Sequence, residues 1–359
     1  MTTTPTRPAP NPDARINHCM PRPPERLGGT VFDETRAQPG LTLCWTSGTR
    51  SARLIDLWGE EVQRWQVDAG PAWHDAKLLD NGNLLVVANE KAYSAQAISR
   101  HWLIELDRES NVVWESHARC HHDVQRLANG HTLVACNAPA QYVDLDPEPR
   151  IYDYIQELDT SGDAVWTWHY APHQSQLELP GGMEKPPHGD WPHINTVQSL
   201  PDTPLGQRDE RFRAGNVLVS PRHLHRIFII DRDTGDICWQ WGGGELRGQH
   251  QPNMLPTGNI LLFDNGWGPP LRGWSQVLEI EPASGEIVWR YRTDPATDFW
   301  SPVGSGAQRL DNGNTLICAM NWKEPGRVFE VTPSGEIVWE YWNPEGESFY
   351  RAIRYADQA

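Results

Sequence analysis

The sequence predicts an all-β fold, a six-bladed β-propeller with four antiparallel strands per blade, and three observations lead there. One phrase recurs six times: an apolar-alternating run, a tight turn that usually carries Gly, then a short strand with Trp, which is Trp65, Trp114, Trp166, Trp239, Trp289 or Trp339. A second phrase sits between these copies, in HDAKLLDNGNLLVVAN from His74, HDVQRLANGHTLVACN from His122, QHQPNMLPTGNILLFDN around His250 and GSGAQRLDNGNTLICAMN around Ser305. Alternation with a period of two, interrupted by Asn-Gly or a related pair that tolerates positive φ, makes each phrase a β-hairpin. Two hairpins per repeat of roughly 50 residues are one propeller blade. Composition is the third observation: 18 Trp, 30 Gly and 30 Pro with 22% charged residues describe a turn-rich aromatic β chain.

The elements follow in order along the 359 residues. Residues 1–29 are rich in Pro, Thr and Arg, without an apolar run of signal-peptide length, and are expected to form a flexible arm. Residues 30–359 are expected to form a single propeller domain. GLTLCWTS near Gly40 and FYRAIRY near the C-terminus both read as strands of one blade, so the two chain ends close the ring there. Closure removes the exposed sheet edges that invite aggregation. One blade hides its turn: HINTVQSL from His193 is followed by a polar insertion, residues 201–213, before AGNVLVSPRH resumes at Ala214.

Charge and cysteine usage narrow the function classes. A formal net charge of −16 and a pI near 5.3 argue against nucleic acid or an anionic membrane as partner. No stretch has the apolar length to cross a bilayer. Six scattered cysteines (Cys19, Cys44, Cys120, Cys136, Cys238 and Cys318) include no CxxC pair and read as reduced, mostly buried residues of a cytoplasmic protein.

In a propeller the first strand of each blade lies nearest the axis, so the residue that opens it stands at the channel mouth. Alignment of the second phrase fills this position with His74, His122, His193, His250, Ser305 and Tyr350. The following strand returns to the same face with Asn89, Asn137, Arg222, Asn265, Met320 and Ser47. A single aligned His would be read as a cap on its strand. Four of them place titratable groups around one concavity, which points to an active site. The repeated Trp residues, by contrast, read as packing between blades. Arg222 should lie beside His193 and within reach of Asn195, where a guanidinium can grip a tetrahedral oxyanion with two parallel hydrogen bonds. His223 and His225 are expected outside the channel. Residues 138–150, 169–189 and 266–273 are long connections on the His face and are expected to cover the site as a lid.

The elements DWPHIN, GNVLVSPRH, GQHQPNMLPTGNILLFDNG and HHDVQRLANG resemble the bacterial aryl-sulfate sulfotransferase family, which are PAPS-independent six-bladed propellers; the likeness runs from about His74 to Trp339. The resemblance implies that an axial histidine takes a sulfuryl group from a phenolic sulfate ester and passes it to another phenol, with no cofactor. Carried over by motif, His250 would be the nucleophile, with His122, His193, Asn195 and Arg222 around the sulfuryl oxygens. His74, Tyr350, Asn265, Asn137 and Ser305 would contact a small phenolic or anionic substrate. A rival reading makes His74, His122, His193 and His250 ligands of one divalent ion, Fe, Mn or another first-row metal, serving an oxygenase, lyase or hydrolase. A third, a binding propeller without catalysis, expects an exposed aromatic patch instead.

Overall fold

The computed structural model describes residues 23–89, 101–142, 150–177, 190–268, 270–320 and 324–356. Six sheets form the blades of the propeller. Blade 1 runs outward from Arg351–Tyr355 through Leu41–Trp45 and Ser51–Ile55 to Glu61–Gln66. Both ends of the chain therefore meet in one sheet, with Leu41 to Trp45 paired antiparallel to Tyr355 to Arg351. Blade 2 spans Trp73 to Ser116, blade 3 Cys120 to His169, blade 4 Ile194 to Ser199 and Val217 to Trp241, and blade 5 His250 to Tyr291. Blade 6 spans Gly306 to Trp342 and gains a fifth strand, Gly28–Phe32, on its outer edge. Gly28 and Gly29, expected in the arm, thus belong to this strand, which pairs with the otherwise unpaired edge of Ile337–Trp342. Residues 1–22 lie outside the described residues.

The repeated Trp residues are the ties between blades. The fourth strand of each blade sends an indole N–H to a carbonyl in the outer hairpin turn of the next blade, and blade 4 sends a second, from Trp241 to Gly285 O at 3.0 Å. Trp65 bonds to Asp107 at 2.9 Å, Trp114 to Thr160 at 2.9 Å and Trp168 to Gly235 at 2.8 Å. Trp239 bonds to Pro282 at 3.0 Å, Trp289 to Pro333 at 2.8 Å and Trp339 to Leu57 at 2.7 Å, which closes the circle. In blade 3 the donor is Trp168, two residues beyond the Trp expected from the repeat. Trp166 instead lies under the Arg232 guanidinium, 3.9 Å from its ring centroid. Apolar side chains fill the space between adjacent blades, as where Leu43, Trp65, Trp73 and Val86 join blades 1 and 2.

Cys44, Cys120, Cys136, Cys238 and Cys318 are free thiols, all buried except the half-buried Cys238. Cys19 lies outside the described residues. No helix among the described residues is long and apolar enough to cross a membrane.

Candidate active site

The inner strands do not enter the channel as regular β-structure. His122, His193, Gln251 and Ser305 hold φ of 57°, 66°, 49° and 72°, the left-handed region that costs a non-glycine residue about 1–3 kcal/mol. Bulges accompany them: His74 in blade 2, residues 121–123 in blade 3 and residues 251–252 in blade 5 each have no single cross-strand partner. A bulge breaks the alternation of side chains and re-aims them. That is how neighbouring residues of one inner strand come to share the axial side.

The imidazoles form a contiguous row. His74 and His122 meet edge to face with centroids 4.8 Å apart, His122 and His193 do so at 4.5 Å, and Tyr350 lies 6.1 Å from His74. Two further rings join them. His121 stands perpendicular to His122 at 4.9 Å, and His223 stacks on His193 at 4.8 Å. The expectation that His223 lies outside the channel is therefore wrong. Arg222–Leu224 is a single 3₁₀ turn rather than a continuing strand, and it folds back on the His193 segment. The bonds Arg222 N–H to His193 O at 2.8 Å and His223 N–H to Pro192 O at 3.2 Å hold it there. His225 is buried behind this turn, where its Nδ1 accepts from Gly248 N–H at 3.0 Å.

His250 is 2% exposed and its tautomer is fixed. Nδ1 lies 2.7 Å from Asn265 Oδ1 and 3.1 Å from Gly248 O. The Asn265 amide cannot be reversed, because its Nδ2 donates to Ser301 O at 2.8 Å and Gly304 O at 3.1 Å. Two acceptors at Nδ1 require the proton there, which leaves Nε2 with a lone pair. Burial, then the Arg222 and Arg351 guanidiniums, hold the proton affinity of His250 well below that of a free imidazole, against the pull of Asn265; His193 adds to the depression. The close glycine Gly248 (φ 66°) is needed here, since a Cβ would stand 2.6 Å from Trp267 O.

Asn265 and Ser305, expected to contact substrate, bond to neighbouring residues of the protein. Asn265 is consumed in orienting His250. Ser305 is fully buried, with its hydroxyl against Ser301 Oγ and Met320 N–H. The backbone of Asn137 donates to Arg119 O at 3.0 Å and accepts from the Arg119 Nε at 2.9 Å, and the residue sits across from Asp153 on the next strand. Asn89 ties blade 2 to blade 3 through Cys120 O. Asn195, also fully buried, spends one amide hydrogen on Gln249 O at 2.8 Å, and so fixes the peptide beside His250. Tyr350 is 5% exposed, and burial raises its hydroxyl to about 12.

The inner strands that carry His74, His122 and Tyr350 also hold a buried charge cluster that the sequence did not announce. Arg351 is fully buried, bonding to Asp123 at 3.2 Å, to Asn195 O at 2.8 Å and to Thr196 Oγ1 at 3.4 Å, with Asp75 3.6 Å away. Lys77 bridges the same two carboxylates at 3.2 and 3.1 Å. Burial raises Asp75 to about 7, whereas Lys77 and Arg351 outweigh burial at Asp123 and hold it below the usual carboxylate range. At the other end of the inner strands this cluster floors a cavity of about 830 Å³, lined by Lys77, Asp123, Gln125, Arg126 and Gln198 among others. Arg351 could have been noticed in FYRAIRY as the cation immediately after the ring position Tyr350, where His74 and His122 are followed by Asp75 and Asp123.

The lid segments are only partly described. Residues 138–140 and 150 belong to the long strands Thr132–Ala140 and Arg150–Leu158, so they extend blade 3 rather than loop over the mouth. Residues 170–176 form short helical turns pinned to blade 4, where Gln176 bonds to Asp236 and to Ile237 N–H. Residues 143–149 and 178–189 lie outside the described residues. The 266–273 loop is anchored by Arg272 to Asp264 at 2.7 Å and by Trp267 stacked on Trp300. Among the described residues, no three His, Cys, Asp or Glu side chains are arranged to hold a metal ion.

Known structures share the fold. A protein of unknown function from Bacteroides caccae superposes with a TM-score of 0.60 at 15% identity, covering 89% of this chain and all of that one. The WD40 β-propeller domain of Doa1 gives 0.50 at 8% identity, covering 93% and 97%. A search of curated proteins finds no match to the sequence. The family model described as arylsulfotransferase (ASST) matches residues 76–344, which contain the whole of blades 3, 4 and 5 and thus His122, His193, Asn195, Arg222 and His250. With the match running over most of its length, the chain belongs to the arylsulfotransferase family.

Proposed function

We propose that the protein transfers a sulfuryl group between phenolic compounds through a covalent intermediate on His250 Nε2. The observation that carries this reading is the state of His250: unprotonated at Nε2, locked at Nδ1 by Asn265 and Gly248, and buried beside guanidinium groups. A neutral imidazole with a fixed lone pair is a competent nucleophile at neutral pH. Arg222, which interacts electrostatically with His250, is suited to the negative charge on the sulfuryl oxygens as the S–O bond lengthens. His193 and the second amide hydrogen of Asn195 complete the donors on that side. His74 and Tyr350 form the wall toward blades 1 and 2, where the aromatic part of a phenolic ester would pack.

The test is a two-stage reaction. Incubation with 4-nitrophenyl sulfate and no acceptor should release one equivalent of nitrophenol and leave a sulfated peptide containing His250, detectable by mass spectrometry under non-acidic conditions. Addition of phenol should then discharge it. His250→Asn should abolish both steps while phenol binding persists. The four-histidine metal reading expects instead that a chelator kills activity, that one divalent ion restores it, and that His74→Ala loses metal and turnover together.

A further inference from the structure

We infer that Thr196 is a positioning residue for His250: its hydroxyl, oriented by Arg351, fixes together with Asn195 the two peptide groups on either side of that imidazole. The inference rests on the sulfuryl-transfer reading for what His250 attacks, whereas the hold on His250 is a property of the fold.

The local backbone creates the need for such a hold. His250 pairs with Phe263, but the next paired residue of its strand is Asn253, so Gln251 and Pro252 bulge out of the ladder. Gln251 holds φ 49°, a left-handed conformation that a residue with a side chain keeps only where its surroundings over-determine it. A bulge also takes a peptide N–H away from its cross-strand acceptor. Blade 4 answers both needs with two consecutive side chains. Gln251 N–H donates to Thr196 Oγ1 at 3.0 Å, and Asn195 Nδ2 donates to Gln249 O at 2.8 Å. The peptides before and after His250 are thus each bonded to one of these neighbours. The Gln251 side chain is seated as well, since it crosses Gly306, where a Cβ would stand 1.5 Å from its Oε1.

The order of donors in this clamp cannot be reversed. A guanidinium and a peptide N–H can only donate. The Thr196 oxygen accepts from Gln251 N–H and, at 3.4 Å, from Arg351 Nη2, so its own proton goes to Asn195 Oδ1 at 3.3 Å. With Oδ1 serving as acceptor, the Asn195 amide presents Nδ2 to Gln249 O. Arg351 Nη2 also donates to Asn195 O at 2.8 Å, and its Nη1 donates to Asp123 at 3.2 Å. Thr196, Asn195, Gln249 and Arg351 are all buried. One cation from the C-terminal strand therefore sets the direction of a hydroxyl and an amide that hold the histidine of blade 5.

Thr196 lines the cavity of about 830 Å³ with Lys77 and Asp123, and its bonds reach His250 through the backbone. Direction is what this hold supplies. As His250 Nε2 bonds to sulfur, the sulfur–phenolic oxygen bond breaks and its electron pair leaves with the phenolate. The attacking lone pair must point along that bond, and a misplacement of about 1 Å is enough to cost on the order of 10²-fold in rate.

Thr196→Val keeps the shape of the side chain and removes the hydroxyl, whereas Thr196→Ser keeps the hydroxyl. Measured below its melting transition, Thr196→Val should lose about 10²-fold in kcat for 4-nitrophenyl sulfate with KM within about twofold of the parent, and Thr196→Ser should stay within about threefold in both. Thr196→Cys, whose thiol accepts only weakly, should fall between them and takes the place of Thr196→Val if that variant does not fold. A hydroxyl-free variant as fast as the parent, a Thr196→Ser variant as slow as Thr196→Val, or a loss confined to KM would each overturn the assignment. A second readout is independent of turnover. In the full chain labelled with ¹⁵N-histidine, the ring resonances of His250, assigned by their absence from His250→Asn, should move in Thr196→Val and return to the parent positions in Thr196→Ser. Resonances that stay in place in Thr196→Val would also overturn it. If they move as expected but the parent protein transfers no sulfuryl group from 4-nitrophenyl sulfate or phenyl sulfate, the sulfuryl reading fails and the positioning of His250 by Thr196 stands.

Discussion

His250 must attack sulfur while two guanidiniums lie close by, and its surroundings keep it unprotonated. Since its affinity for a proton is depressed, protonation should quench attack only well below the ordinary imidazole value of 6.5, so the acid limb of kcat/KM is expected below that pH. Asn265→Asp would place an anion on Nδ1–H and favour the imidazolium, moving this limb to higher pH. Asn265→Leu removes the tautomer lock and should slow transfer roughly 10²-fold, in the direction of the about 10⁴-fold loss when a catalytic triad loses the same control. Arg222→Lys keeps the charge but not the planar two-point grip, and a loss of about 10²-fold in single-turnover rate is expected. Arg351 acts more quietly. Arg351→Met leaves Asp75 and Asp123 facing each other with Lys77 alone, and chemical denaturation should show a loss of about 3–5 kcal/mol, as when one partner of a buried ion pair is removed.

The element that matters most to the ring is the outer strand with its indole. Each such Trp crosses to the turn of the next blade, so the set is a closed circle in which every bond has the same role. Trp339→Phe would strip the donor from a buried contact and leave Leu57 O unpaired. The expected cost is about 1–3 kcal/mol, read by thermal or denaturant melting, with catalysis unaffected at temperatures where the variant is folded. The inner strands follow the opposite logic. Their bulges and left-handed residues weaken local pairing at the channel mouth, and what is gained is the convergence of His121, His122 and His193 on one side.

For the molecule as a whole, closure depends on the two chain ends unequally. Arg351–Tyr355 supplies an inner strand together with the channel cation, whereas Gly28–Phe32 adds a mostly exposed fifth strand to an already complete sheet. Ending the chain after Trp342 should therefore abolish cooperative folding, which a broad, low-amplitude melt would reveal. Removing residues 1–32 should leave a single sharp transition at a modestly lower temperature. A melt of equal quality in both truncations would show that the blade 1 seam does not hold the ring together.

Blade number, the hairpin pattern, the shared blade at the chain ends and the equivalent places of His74, His122 and His250 at the start of their inner strands were all legible in the sequence, because repetition and alternation are local properties that each blade states again. The sequence also supplied the Trp residues, though not that Trp168 rather than Trp166 makes the bond, since the choice depends on which indole the twisted strand presents to the neighbouring turn. Tertiary structure decided the rest. His121, Asp153, His223 and Arg351 reach the site through a bulge, a cross-strand neighbour, a 3₁₀ turn and a strand from the far end of the chain, none of which has a period to betray it. The hydrogen-bond partners of Asn265 and Ser305 likewise become visible only in the folded chain. A polar residue at a channel mouth can face substrate or hold its neighbour, and only the three-dimensional supply of donors and acceptors distinguishes the two.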